Sequence, residues 1–356
     1  MTWHFLLTDL RAGGSERVSV TLARILRRRG MDVRFVCLGG GEGEIREWVT
    51  PEFELDVLGT RRTLTALPAL MRLMRQRKGD AVMFSSREQV SLVALIAGRR
   101  LGIPVVVRLP NMPSNQLYRG FTGLKWRVIR WLNRRLLPHA SLVIAQTDAM
   151  RSEAIDYYRL QPDRVATVFN PIDKATVVAA AEGRPSPFGS GGPQYVAVCN
   201  VSYAKGVDIL LHAFRQVRST LPSAHLTIVG RTGTDYAEAL VASAGEGVTF
   251  TGFIANPYPY MRHCDVFVLP SRMEGFPNVV LEAMCFDKPV AATTCVPVID
   301  KVVTPGTNGY TCPPGDAGAL AGSMLAAARL TGIHNQYTLF DEEQLIHLLQ
   351  PVTCAS

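Results

Sequence analysis

Short runs of β-branched and aromatic residues alternate with longer stretches of helical periodicity, and this alternation limits the fold more than any other feature of the chain. In the first half the runs fall at residues 3–7, 33–38, 81–84, 104–107, 142–145 and 165–168. Strands separated by helical crossovers pair in parallel, so a parallel sheet is predicted. Between the first two runs, Ser15 and Glu16 open a segment with apolar Val18, Leu22, Ile25 and Leu26, which closes in Arg27, Arg28, Arg29 and Gly30. These are the start, buried face and stop of a helix.

Residues 183–193 are rich in Gly, Pro and Ser and carry no periodic pattern, which marks a linker. Alternation resumes at 195–199, 225–229, 266–269 and 289–292. With 356 residues the chain is long enough for two cores. The prediction is therefore α/β with two Rossmann-like, doubly wound domains facing a cleft: 1–182, the linker 183–193, and 194–356. A short helix is expected at 341–349, where the chain could return to the first domain.

Composition excludes several classes. Hydrophobic residues make up 47% and charged residues 19%, as in a globular protein rather than a disordered one. No apolar stretch approaches the roughly 18 residues of a membrane-spanning helix. The first ten residues have no basic residue ahead of their apolar run, so they read as a strand rather than a secretory signal, and a cytoplasmic location is expected. The seven cysteines are scattered, with no C-x-x-C pair, and the seven histidines form no ligand pattern, so no metal site is expected.

Charge is uneven. The net +8 resolves into +12 up to Arg184 and −4 beyond it. Positive charge is densest at 117–139, where Phe121, Leu124, Val128, Trp131, Leu132 and Leu136 recur at helical spacing and Arg119, Arg127, Arg130 and Arg134 occupy another side. Such a helix suits a membrane interface, with tryptophan at headgroup depth and arginine on lipid phosphate. A helix packed on the core with a solvated basic face fits the same pattern, and the sequence leaves both open. No nucleic-acid-binding motif accompanies the charge.

Three constellations stand at the ends of predicted strands. Gly13, Gly14, Ser15 and Glu16 lie between the first strand and first helix, where glycines let a ligand approach the backbone and a helix start attracts phosphate. A tight strand-to-helix turn would use the same glycines. Glu274 and Glu282 flank a predicted helix start at Pro277 and Asn278, with Glu282 about two turns in. A carboxylate in that loop could hold sugar hydroxyls while the N–H groups of Asn278 and Val279 receive a diphosphate. Lys205 and Gly206 follow the first strand of the second half, where a lysine can neutralise a leaving phosphate.

Taken in order, Gly13 through Val18, Asn170 through Asp173, Lys205-Gly206 and the Glu274-x7-Glu282 block resemble the retaining glycosyltransferases of two-Rossmann-domain GT-B architecture, family 4. The resemblance extends over nearly the whole chain. It implies that Lys205 contacts the donor diphosphate and Glu274 faces the donor sugar, the two being the catalytic pair. Gly275, Phe276, Pro277, Asn278 and Val279 would surround sugar and phosphate, Glu282 would hold the ribose, Gly230, Arg231 and Phe253 would embrace the base, and Gly14 would approach the diphosphate from the other domain. It implies a nucleotide-sugar donor, most simply a UDP-sugar, and no cofactor or metal, in keeping with the lack of any D-x-D triplet.

Two positions depart from the family pattern. Asn200 stands where an arginine is usual, five residues before Lys205, so Arg231 or Arg272 would have to replace that cation. The usual histidine of the acceptor side is absent, and Arg108 and Asn111 occupy that stretch. The expected activity is transfer of a hexosyl or N-acetylhexosaminyl group to a lipid-linked or polysaccharide hydroxyl in bacterial surface glycan synthesis, at the inner face of the membrane. A nucleotide-sugar epimerase of the same architecture and a non-catalytic nucleotide-sugar-binding module at the membrane surface remain as alternatives.

Overall fold

The structure, a computed structural model, describes residues 1–11, 13–77, 81–114, 123–189 and 191–354. The chain divides into two compact units, Met1–Pro171 together with Thr338–Ser356, and Ile172–Tyr337. In the first unit the described strands are β1 (Thr2–Leu7), β2 (Asp32–Cys37), β3 (Glu54–Val57), β4 (Ala81–Ser85), β5 (Val105–Arg108), β6 (Leu142–Ala145) and β7 (Val165–Thr167). All pair in parallel, in the order β3-β2-β1-β4-β5-β6-β7. The chain starts in mid-sheet, runs to one edge, then returns and builds the other side, so the order reverses between β1 and β4.

The second unit repeats this plan with β8 (Gln194–Val198), β9 (His225–Val229), β10 (Val248–Gly252), β11 (Val266–Leu269), β12 (Val290–Thr293) and β13 (Gly309–Cys312). Their order is β10-β9-β8-β11-β12-β13, again all parallel, with the reversal between β8 and β11. Loops leaving neighbouring strands at such a reversal point in opposite directions and open a crevice at the carboxyl ends. This is the two-Rossmann-domain α/β plan predicted from the alternation of runs. Three strands went unpredicted, β3, β10 and β13, and all three are sheet edges.

Helices cover both faces of the first sheet. One core cluster includes Leu6, Met83 and Val107, the other Phe5, Phe35 and Phe84, and the Phe5 and Phe84 rings stack at 4.5 Å. Fully burying each such side chain contributes about 1.5–3 kcal/mol. The helix Gly14–Arg28 presents buried Val18, Leu22, Ile25 and Leu26 to this second cluster.

The unit boundary lies at Pro171 and Ile172 rather than after residue 182. The helix Lys174–Ala181 is capped by Asp173 and joins the second unit, where Asn256 Nδ2 donates to Ala180 O (2.7 Å) and Arg262 Nη1 to Ala181 O (3.3 Å). At the other end, the helix Glu342–Cys354 leaves the second unit and packs on the first, with Leu345 and Leu349 buried in the cluster of Trp3 and Phe5. Arg29 Nε holds Glu342 at 2.7 Å. Among the described residues no helix is long and apolar enough to cross a membrane.

Candidate active site

Lys205 and Glu274 come from the two loops that leave the second sheet at its reversal, one after β8 and one after β11. The chain turns after β8 into a single 3-10 turn, Tyr203–Lys205, ended by Gly206 at φ +63°. A Cβ on Gly206 would stand 2.0 Å from Pro270 O, so only glycine lets this turn press against the loop after β11. The contact brings Lys205 Nζ to 2.7 Å from Glu274 Oε1 and 2.8 Å from Oε2. Burial alone would lower the lysine pKa; the charge and hydrogen bonds of Glu274 outweigh it, and the pKa is raised. Lys205 therefore carries its positive charge throughout the neutral range.

Glu274 is fixed from the other side by residues the sequence reading missed. Ser271 Oγ donates to Glu274 Oε1 at 2.7 Å, and Thr293 Oγ1, at the end of β12, donates to Ser271 O at 2.5 Å. Ser271 stands three residues ahead of Glu274, a spacing that could have pointed to it. Beyond Glu274 the chain passes Gly275 and buried Phe276 and starts the helix Asn278–Met284. Pro277 (φ −85°, ψ 69°) makes a tight inverse turn in which Asn278 N–H donates to Phe276 O at 3.0 Å. The Asn278 amide, expected to face a diphosphate, is thus engaged by the chain two residues back, and the Asn278 and Val279 positions form the first turn of a short helix. Glu282 lies on the buried side of that helix, one turn past Asn278 rather than two.

The other expected donor-side residues border the same sheet end. Gly230 follows β9 directly at φ +153°, where a Cβ would meet Cys199 O at 1.9 Å. The next residue, Arg231, is tied to the loop after β8: its N–H donates to Asn200 Oδ1 (3.3 Å) and its carbonyl accepts from Val201 N–H (2.9 Å). The Arg231 guanidinium lies over the ring of Phe253, 3.9 Å from its centroid. Arg272, the other proposed replacement for the cation missing at Asn200, is committed elsewhere: its Nη1 and Nη2 grip Asp208 at 2.7 and 2.6 Å. Cys199 and Cys295, both near Lys205, have thiols pushed up to about 12 by burial and remain protonated.

In the first unit Gly14 opens its helix at the carboxyl end of β1, beside the β1–β4 reversal. Buried Glu16 accepts from Arg87 Nε, from the loop after β4, at 2.7 Å. Arg108 does not present itself to an acceptor as expected. It is buried, its Nη2 donates to Asn170 Oδ1 at 2.5 Å, and desolvation pulls its pKa down to about 9. Asn170 Nδ2 in turn donates to Gln146 Oε1 (3.0 Å), so Arg108 braces the strand ends just ahead of the unit boundary. Asn111 is exposed in the following loop.

The basic helix is Leu124–Leu136; residues 117–122 of the expected segment lie outside the described residues, as does the side chain of Lys125. Its periodic apolar stripe is divided. Ile129 is buried and Leu132 and Leu136 are half-buried, while Leu124, Val128 and Trp131 face solvent, Trp131 at 57% exposure.

Comparison with known proteins places this geometry in a family. Residues 192–329 match the model of glycosyl transferases group 1, and residues 12–176 match that of glycosyltransferase family 4. The chain is a GT-B glycosyltransferase. An uncharacterized glycosyltransferase of Haemophilus influenzae is 23% identical over 326 residues, covering 86% of this chain and 84% of that one. An N-acetylgalactosamine-N,N'-diacetylbacillosaminyl-diphospho-undecaprenol 4-alpha-N-acetylgalactosaminyltransferase of Campylobacter jejuni is 24% identical, covering 80% of this chain and 78% of that one. Among solved structures, Anabaena Alr3699/HepE in complex with UDP and glucose superposes with a TM-score of 0.76 at 20% identity, over 99% of this chain and 100% of that one. The glycosyltransferase thus carries Lys205 and Glu274 within its group 1 match, and Gly14 and Arg108 within its family 4 match.

Proposed function

We propose that this glycosyltransferase moves a sugar from a UDP-sugar to a hydroxyl of a lipid-linked or polysaccharide acceptor, with retention at the anomeric carbon. The observation that carries the reading is the Lys205–Glu274 pair at the β8–β11 reversal, a cation and a carboxylate held together where the two loops leave the sheet. UDP and glucose in the HepE complex support the donor class, and the diphospho-undecaprenol in the name of the Campylobacter relative supports a lipid-linked acceptor.

In this mechanism the bond between the anomeric carbon and the diphosphate oxygen breaks, and its electron pair stays on the diphosphate. Lys205 neutralises the charge that grows there, while Glu274 orients the sugar as it flattens towards an oxocarbenium-like state. The acceptor oxygen attacks on the face the diphosphate leaves, and its proton passes to the departing phosphate oxygen. With Lys205 as the leaving-group cation, the reaction needs no resident metal. The exposed Leu124, Val128 and Trp131, on a helix rich in arginine and without acidic residues, support contact with an anionic membrane surface, where a lipid-linked acceptor resides.

The deciding experiment screens nucleotide sugars with lipid-linked acceptors in the presence of EDTA and reads the product's anomeric configuration by NMR. Retained configuration and EDTA-resistant turnover support the reading; an inverted product or donor converted without acceptor, as by an epimerase, refutes it. Lys205→Ala should lower kcat by about 10²-fold. Flotation with anionic vesicles at low salt should carry the protein, and Trp131→Glu should abolish it; a wild-type protein left at the bottom refutes the membrane contact.

A further inference from the structure

Neither Lys205 nor Glu274 is placed by regular secondary structure. Lys205 ends a single 3-10 turn and Glu274 lies in an irregular loop, so their separation depends on whatever ties the two segments together. Arg272 supplies that tie. Its Nη1 and Nη2 donate to Asp208 Oδ1 and Oδ2 at 2.7 and 2.6 Å, Nη1 also donates to Tyr203 O at 2.8 Å, and its guanidinium lies 3.9 Å over the Tyr203 ring. Its backbone N–H donates to Ala204 O at 2.8 Å. Tyr236 OH reinforces the clamp from another helix by donating to Asp208 Oδ1 at 2.9 Å. Arg272 stands two residues before Glu274, and its side-chain partners lie two residues before and three after Lys205.

We propose that the Arg272–Asp208 pair is a strut that sets the Lys205–Glu274 spacing, making Arg272 a positioning residue for sugar transfer rather than the second diphosphate cation. The inference rests on the role given above to Lys205 and Glu274. A planar fork gripping both carboxylate oxygens resists rotation in a way that a point charge cannot, and a displacement of about 1 Å at reacting groups costs about 10²-fold in rate. A guanidinium so engaged has no fork left for a phosphate. The transferred group would feel its loss through kcat, not through donor binding.

The test compares wild type, Arg272→Ala, Arg272→Lys and Asp208→Asn with whichever nucleotide sugar the wild type turns over. Arg272→Ala should lose about 10- to 100-fold in kcat with donor KM changed by less than about threefold, Arg272→Lys should recover little because the fork is gone, and millimolar guanidinium should partly rescue Arg272→Ala. An unchanged kcat overturns the strut. So does a tenfold rise in donor KM at constant kcat, which would mean that Arg272 holds the donor itself. Hydrogen exchange of amides 271–276 gives a reading independent of substrate: it should accelerate in Arg272→Ala and, more mildly, in Asp208→Asn, and unchanged protection in a folded variant also refutes the strut. If the wild type transfers no sugar from any UDP donor, the donor assignment fails while the exchange result still decides the strut.

Discussion

Replacing Lys205 and Glu274 singly and together separates what their ion pair does for the fold from what it does for the reaction. Lys205→Met leaves the Glu274 carboxylate, only 10% exposed, with the Ser271 hydroxyl in place of an ammonium. Removing one member of a fully buried pair costs 3–5 kcal/mol, and partial solvation here reduces that to about 2 kcal/mol. Glu274→Gln keeps the shape and strands a lysine that is 30% exposed and still reaches water, so about 1 kcal/mol is expected. The double variant contains no uncompensated charge and should cost no more than about 1 kcal/mol, which gives a coupling of about 2–3 kcal/mol. Urea unfolding of the four proteins at neutral pH measures this cycle. Turnover should follow a different pattern: each single variant loses most of the activity, and the double variant recovers stability but no rate, because the ammonium and the carboxylate act together on the donor. Additive stability effects would refute the packing argument, and a double variant regaining turnover would refute the chemical one.

His4 offers a pH test of the first unit. It is fully buried on β1, neither ring nitrogen is hydrogen-bonded among the described residues, and burial, aided by the charge of Arg77, lowers its pKa from 6.5 to about 4. Above pH 6.5 the ring is neutral in both states and exerts no effect; between 6.5 and 4 only the unfolded chain takes up the proton. Stability should therefore fall by about 3 kcal/mol across that window, and His4→Gln should remove that part of the slope in urea titrations; an equal slope in the variant would contradict it. Gly206→Ala should destabilise the second unit by at least about 1 kcal/mol and lower turnover, since its Cβ would collide with Pro270 O at a backbone angle of φ +63°. A variant with wild-type midpoint and rate would mean that the two loops do not depend on this contact.

The sequence reveals the interior strands and one edge, β7, but not the edges β3, β10 and β13, for one physical reason. β1, β4, β5 and β11 are covered on both faces, so nearly every residue is apolar and the run stands out. β3 carries Glu54 and Asp56, and β10 interleaves Thr249 and Thr251 with Val248 and Phe250, because an edge strand meets solvent and must discourage further pairing. The helix Lys174–Ala181 has alanines and valines that would suit either core, so the sequence does not place it, and the bonds from Asn256 and Arg262 tie it to the second unit. Likewise, helical spacing identified the stripe through Leu124, Val128 and Trp131 without indicating which part of it the protein covers.

The candidate site divides along the same line. Lys205 and Glu274 were legible because each follows a strand that could be read, and strand ends are where α/β sheets meet ligands. Their ties were not legible: Arg272 meets Asp208 across 64 residues and Arg108 meets Asn170 across 62, separations at which pairing depends on strand order rather than on local pattern. Strand order is also what makes the first pair meaningful. β8 and β11 are neighbours only because the chain builds β9 and β10 on one side before crossing back. The lysine loop and the glutamate loop therefore leave adjacent strands, and a sequence separation of 69 closes into a contact of 2.7 Å. An insertion between β9 and β10 that preserves this order should leave the pair intact, whereas any change that moves β11 away from β8 dismantles it.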